Sequence, residues 1–228
     1  MSDPPPAGGP TRFEPDAVVF DCDGVLVDSD DAVVGAWSAW AVAYGLDPAA
    51  VVEVCHGQPA RSTVAAFLAP DDVAAGIAVI DQLELELARD VRGLPGARDL
   101  LLSLPAGRWG IVTSGIRVLA TTRLLASGIE LPDVLVTADD VAHGKPHPEG
   151  YTAALERLAA DARRSVVFED APTGIAAARA AGVGVVIGVG PRAVDADVDA
   201  IVGDLRDVTW DADGLVIRGS MARRGLAG

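Results

Sequence analysis

Val18-Val19-Phe20-Asp21-Cys22-Asp23-Gly24 is the stretch that decides the fold: three apolar residues, two acids one residue apart, and a glycine. With Ala17 ahead of it, the apolar run 17–20 is too short for a helix. It suits a strand covered on both faces, ended by Asp21 and turned at Gly24. Asp28, Ser29 and Asp30 can cap a helix after it, and from 31 to 92 the pattern is helical throughout, with no convincing strand. Beyond the turn Gly-Leu-Pro-Gly at 93–96 the rhythm changes. Apolar runs at 109–113, 134–137, 165–168 and 184–189 read as strands, separated by amphipathic helices near 117–126, 148–160 and 173–181, the last stopped by Gly182. Alternating strands and helices build a parallel sheet with helices on both faces. The expectation is an α/β fold: a doubly wound, Rossmann-like parallel sheet formed by 11–30 and 93–218, with an all-helical cap of 31–92 inserted after the first strand. The end, VTWDADGLVIRG, reads as two strands around an Asp-Gly turn, between a disordered Pro/Gly-rich tail at 1–10 and a loose tail at 219–228.

The chain has 228 residues, half of them apolar, with 33 acids against 18 bases and a formal charge of −15. Such a chain can bury a sizeable core, which excludes wholesale disorder. Two cysteines, Cys22 and Cys55, suit reduced thiols better than a disulfide framework. No long uncharged apolar run appears, and the opening residues lack the basic and apolar regions of a secretory signal, so a soluble cytoplasmic protein is expected, a monomer or weak dimer. Scattered arginines among so many acids give no basic stripe, so neither nucleic acid nor membrane is expected as a partner. Lys145 is the only lysine. In a chain that otherwise uses arginine, a lone lysine suggests a position where a guanidinium does not serve.

Ligands of parallel sheets gather outside the carboxyl ends of the strands. There this sequence places Asp21 and Asp23, Thr113-Ser114-Gly115, Lys145 in the loop after the third strand, and Glu169-Asp170. Alone, each has a plain structural use as a turn, a cap or a solvated charge. Together they set acids, a hydroxyl and the sole lysine around one crevice.

These segments, FDCDGVLVDS, VTSG, GKPHPEGY and FEDAPTGIAAARAAG, resemble in order and spacing the four motifs of the haloacid dehalogenase-like hydrolase superfamily. The cap segment AVVGAWSAWAVAYGL followed by HGQPARST is similar to bacterial sugar-phosphate phosphatases. The resemblance covers roughly 15–218 and implies hydrolysis of a small phosphorylated metabolite with Mg²⁺. In it Asp21 is the nucleophile that forms an aspartyl-phosphate, and Asp23 is the general acid and then base. Asp21, the Asp23 backbone carbonyl and Asp170 ligate the cation. Ser114 and the Gly115 amide hold phosphoryl oxygens at a helix N-terminus, and Lys145 neutralises them together with Asp21. Glu169 orders Lys145 or metal-bound water, and Thr113 supports the site from behind. His56, Gly57, Gln58 and Arg61, in a Gly/Pro-broken joint of the cap, are candidates to contact the rest of the substrate. Trp37 and Trp40 suit cap packing, Cys22 carries no chemistry, and His143 and His147 suggest no zinc site.

Asp23 separates this chain from dehalogenases of the superfamily, which lack that second acid, and the absence of a cap lysine separates it from phosphonate-cleaving members. A sugar-phosphate mutase of the beta-phosphoglucomutase type shares all four motifs and stands as the alternative. A non-enzymatic receiver-like phospho-switch also combines acids, a hydroxyl and a lysine, but has no sixty-residue cap and no use for an acid at Asp23.

Overall fold

The computed structural model describes residues 10–56, 58–218 and 221–222. Residues 1–9 of the expected tail, Gly57 of the cap joint, and 219–220 and 223–228 lie outside the described residues. The chain enters through β1 (Thr11–Phe13) and β2 (Val18–Phe20) and turns at Gly24. It passes along β3 (Val27–Asp28) into four helices, α1 (Asp30–Ala43), α2 (Pro48–Cys55), α3 (Ala60–Phe67) and α4 (Val73–Leu87), and returns along β4 (Arg92–Gly93). There follow α5 (Ala97–Ser103), β5 (Trp109–Val112), α6 (Arg117–Ala126), β6 (Leu135–Val136), α7 (Glu149–Arg157), β7 (Val166–Glu169), α8 (Pro172–Ala180) and β8 (Val185–Val189). The chain ends with β9 (Ala200–Val202), the hairpin β10 (Val208–Asp211) and β11 (Gly214–Ile217), and β12 (Met221–Ala222).

The main sheet has the order β12-β9-β8-β7-β2-β5-β6, with six parallel strands and β12 antiparallel at one edge. β2 pairs with β5 on one side and β7 on the other, so the winding reverses at β2. That reversal is a topological switch point, and it opens a crevice beyond the carboxyl end of β2, where Asp21 stands. β2 is fully buried, as its uninterrupted apolar run requires, and Phe20 stacks on Phe168 of β7 at 5.1 Å between ring centroids. Gly182 ends α8 with a left-handed φ of 79°, as its place in the sequence implies.

The helical block packs around Trp37, Trp40, Val51, Cys55, Val64 and Ile80. The Trp40 indole donates to the Gly76 carbonyl at 2.9 Å, so a ring buried among helices keeps its polar atom satisfied. Both cysteines are free thiols and buried. β3 and β4 pair antiparallel, setting the way into the cap beside the way out.

Several features differ from the sequence reading. Ser29 takes the N-cap position of α1 without a side-chain cap bond. β1 joins the C-terminal hairpin as a third strand. β3, β4, α5 and β9 are further additions, and Met221–Ala222 pairs with β9 where a loose tail was expected. These elements are two to seven residues long, too short to carry a readable period, and partners distant in sequence fix them. Among the described residues no helix is long and apolar enough to cross a membrane.

Candidate active site

A crevice of about 990 Å³ lies between the four-helix cap and the carboxyl ends of the strands. Asp21, Asp23, Thr113, Ser114, Gly115, Lys145, Glu169 and Asp170 line it from the core, and His56, Gln58 and Arg61 line it from the cap. Every described residue named for the site from the sequence thus lines one space. Gly57 lies outside the described residues.

Lys145 sits at the centre. Only 7% exposed, its ammonium donates to Asp21 Oδ1, to Glu169 Oε1 at 2.6 Å and to the Val112 carbonyl at 3.2 Å. Burial works to lower the Lys145 pKa, but the Asp21 and Glu169 carboxylates outweigh it and hold the group well above its usual value. Three donors meet three acceptors, a match that a compact ammonium makes and a planar guanidinium does not.

Glu169 is fixed on both oxygens. Oε1 takes Lys145 and the Tyr151 hydroxyl at 2.8 Å, while Oε2 takes the Asp170 and Ala171 amides at 2.9 and 3.0 Å. In this arrangement it accepts from Lys145, and no metal-bound water is needed to occupy it. The packing leaves no slack: a Cβ on Gly174 of α8 would stand 1.6 Å from Glu169 Oε1. Gly174→Ala must therefore push the carboxylate off Lys145. We expect about 1–3 kcal/mol of lost stability and about a hundredfold loss of turnover, read by thermal melting and steady-state kinetics. Unchanged turnover would mean that Glu169 does not set the position of Lys145.

Asp21, Glu169 and Asp170 are all buried, and each offers a carboxylate oxygen within 4.8 Å of the others. Burial raises the Asp21 carboxyl well above its ordinary range, with Glu169, Asp170 and Asp23 adding to it and Lys145 opposing. Burial and Glu169 push Asp170 up to about 7 against the Arg192 guanidinium. Crowded, desolvated carboxylates of this kind are relieved by a hard cation with oxygen ligands, so the donor set fits a divalent metal. Gly24 keeps this corner open, since its left-handed φ of 80° and a Cβ position 2.2 Å from Asp170 Oδ2 admit no side chain.

The structure adds partners that the sequence reading missed. Arg192, in the loop after β8, donates to Asp170 Oδ2 from Nε at 3.0 Å and also from Nη2, and reaches Asp30 Oδ2 at the start of α1 at 2.7 Å. Asp23 has a cationic neighbour: Arg123 Nη1 donates to its Oδ1 at 3.0 Å. The Gly115 amide, expected to await a phosphoryl oxygen, donates to Thr113 Oγ1 at 3.1 Å, and α6 has Ile116 as its N-cap two residues beyond Ser114. His143 and His147 lie with ring centroids 4.7 Å apart and planes tilted by 37°, beside Glu149, which accepts the Ala142 and His143 amides at 2.8 and 3.0 Å and so shapes the loop carrying Lys145.

Comparison with known proteins agrees with this geometry. The family described as haloacid dehalogenase-like hydrolase matches residues 18–188. Hexitol phosphatase A of Escherichia coli (strain K12) is 37% identical over 198 residues, 84% of this chain and 92% of that protein. The 2-deoxyglucose-6-phosphate phosphatase 1 of Saccharomyces cerevisiae is 34% identical over 91% of this chain and 96% of its own length. Among solved structures, a hydrolase from Pseudomonas syringae superposes with a TM-score of 0.72 at 26% identity, covering 84% of this chain and 94% of that one. With its four motifs gathered on one capped crevice and the family match spanning most of the sheet, the chain belongs to the haloacid dehalogenase-like hydrolases.

Proposed function

We propose that the protein is a Mg²⁺-dependent phosphatase that hydrolyses small sugar or polyol phosphates through an aspartyl-phosphate on Asp21. The chain is a phosphoric monoester hydrolase; the metal, the covalent step and the residue roles are the further reading. One observation carries it: Lys145 is buried between Asp21 and Glu169, with Asp170 within ligand distance and Asp23 two residues on, all facing the cap. The hexitol phosphatase and deoxyglucose-phosphate phosphatase among its relatives support the substrate class.

In this reading an Asp21 oxygen bonds to phosphorus as the bond to the leaving oxygen breaks. Asp23 gives that oxygen a proton. Asp23 then takes a proton from the water that attacks phosphorus and releases Asp21. Lys145 holds Asp21 in line and neutralises phosphoryl charge in a site sheltered from solvent, and Ser114 contributes its hydroxyl. Asp21, Asp170 and the Asp23 carbonyl would hold the cation, which when bound neutralises phosphoryl oxygens. His56, Gln58 and Arg61 face the part of the substrate that is not phosphate. His56 is half-buried, and burial, helped by the Arg192 charge, lowers its pKa from the ordinary value.

The test is release of inorganic phosphate from hexitol and hexose phosphates with Mg²⁺. We expect release to fall more than about a hundredfold on chelation and to return on adding metal. Release that survives chelation would refute the metal role. Conversion of a hexose 1-phosphate to its phosphorylated isomer without free phosphate would favour the mutase.

A further inference from the structure

We propose that Arg123 is a positioning residue for Asp23, and that Glu84 makes this positioning depend on the seating of cap helix α4 on the core. Arg123 lies on core helix α6 and is 2% exposed. One end of its guanidinium donates to Asp23 Oδ1 at 3.0 Å, the other to Glu84 Oε1 at 3.2 Å. Glu84 belongs to α4, the last helix of the cap, and is itself buried. A single side chain therefore ties the acid–base candidate to the cap helix α4.

The arrangement is poor as a stabilising device. Two charged groups, Arg123 and Glu84, are taken from water, and Arg123 Nε has no hydrogen-bond partner among the described residues. Replacing such buried ionic groups by apolar ones is often neutral or stabilising, and an unmet buried donor is itself costly. The geometry gives a functional use. Asp23 sits in a turn with its side chain 29% exposed, free to choose among rotamers. A guanidinium that engages Oδ1 leaves Oδ2 for the leaving group, which is how an acid–base residue needs to be held. If α4 lifts, Glu84 leaves with it and the guanidinium loses one of its two anchors. Asp23 is then held in pose only when the cap lies over the substrate.

This inference rests on the reading of Asp23 as general acid, and the experiment keeps the two apart. Phenyl and nitrophenyl phosphate share a ring and differ in leaving-group basicity, so only the former needs much protonation as the bond breaks. We would measure kcat/KM on both for wild type, Arg123→Lys, Arg123→Met and Glu84→Gln. For the Arg123 variants, phenyl phosphate should fall about tenfold further than nitrophenyl phosphate. Glu84→Gln should move the ratio the same way by about threefold. General loosening of the fold lowers both substrates alike, so equal losses, or none, would overturn the proposal. If the Arg123 variants do not fold, Glu84→Gln, which keeps volume and an acceptor oxygen, decides alone: an unchanged ratio overturns it. Wild-type enzyme inactive on both esters would overturn the phosphatase reading and this inference with it.

Discussion

Asp21→Asn should lower phosphate release on the order of ten-thousandfold or more, with the fold intact. The substitution keeps the size of the side chain at the end of β2 but removes the nucleophile. It also exchanges an ion-paired carboxylate beside Lys145 for an amide. Lys145 retains Glu169 and the Val112 carbonyl, so its ammonium stays partnered and the core is not left with an orphan charge. The comparison is phosphate release by wild type and variant at matched metal concentration, with circular dichroism as the control for folding. Residual activity within tenfold of wild type would mean that another group, or water directly, attacks phosphorus.

Lys145→Arg should cost about a thousandfold in turnover although the charge is kept. The ammonium fits among Asp21 Oδ1, Glu169 Oε1 and the Val112 carbonyl, three acceptors whose arrangement a planar fork does not match. A guanidinium must displace Tyr151 or Glu169, and either shift moves Asp21 by more than in-line attack tolerates. Lys145→Met should be worse for stability as well, because removing one partner of a buried ion pair costs about 3–5 kcal/mol. Near-normal turnover of Lys145→Arg would show that any positive charge serves, and would leave the lone lysine without a functional reason.

The sheet and the core motifs were legible because their signals are local. A buried strand writes its own apolar run, as at Val18–Phe20, and the acids at strand ends interrupt those runs abruptly. The order of strands is not local; that Asp21 stands where the winding reverses emerges only from the pairing of β2 with both β5 and β7. Arg123, Glu84 and Arg192 went unread because an ion pair across 22, 39 or 100 residues leaves no spacing to recognise. A weaker sign exists. Glu84 continues the buried stripe Gly76, Ile80 of α4, and Arg123 lies among Leu119, Ala120 and Leu124 on the buried side of α6. A charge on the apolar face of each of two helices marks a pair that must find each other. Gly174 was within a quoted segment, yet its meaning depends on Glu169 Oε1 pressing against it, which no pattern of residue types conveys.

The strong net negative charge makes the local charge arrangement more telling. In the proposed reaction a substrate anion enters a crevice whose core wall carries Asp21, Asp23, Glu169 and Asp170, so Lys145, Arg61, Arg192 and a bound cation would have to outweigh them. The central claim is that this cluster passes a phosphoryl group through Asp21. It is tested most directly by mixing enzyme, Mg²⁺ and radiolabelled sugar phosphate, quenching in acid on the timescale of one turnover, and mapping the label by peptide mass analysis. The account predicts a label on the peptide bearing Asp21 that forms before phosphate is released and decays as release proceeds. Phosphate release with no labelled enzyme at any time, or a label carried by a different residue, would contradict it.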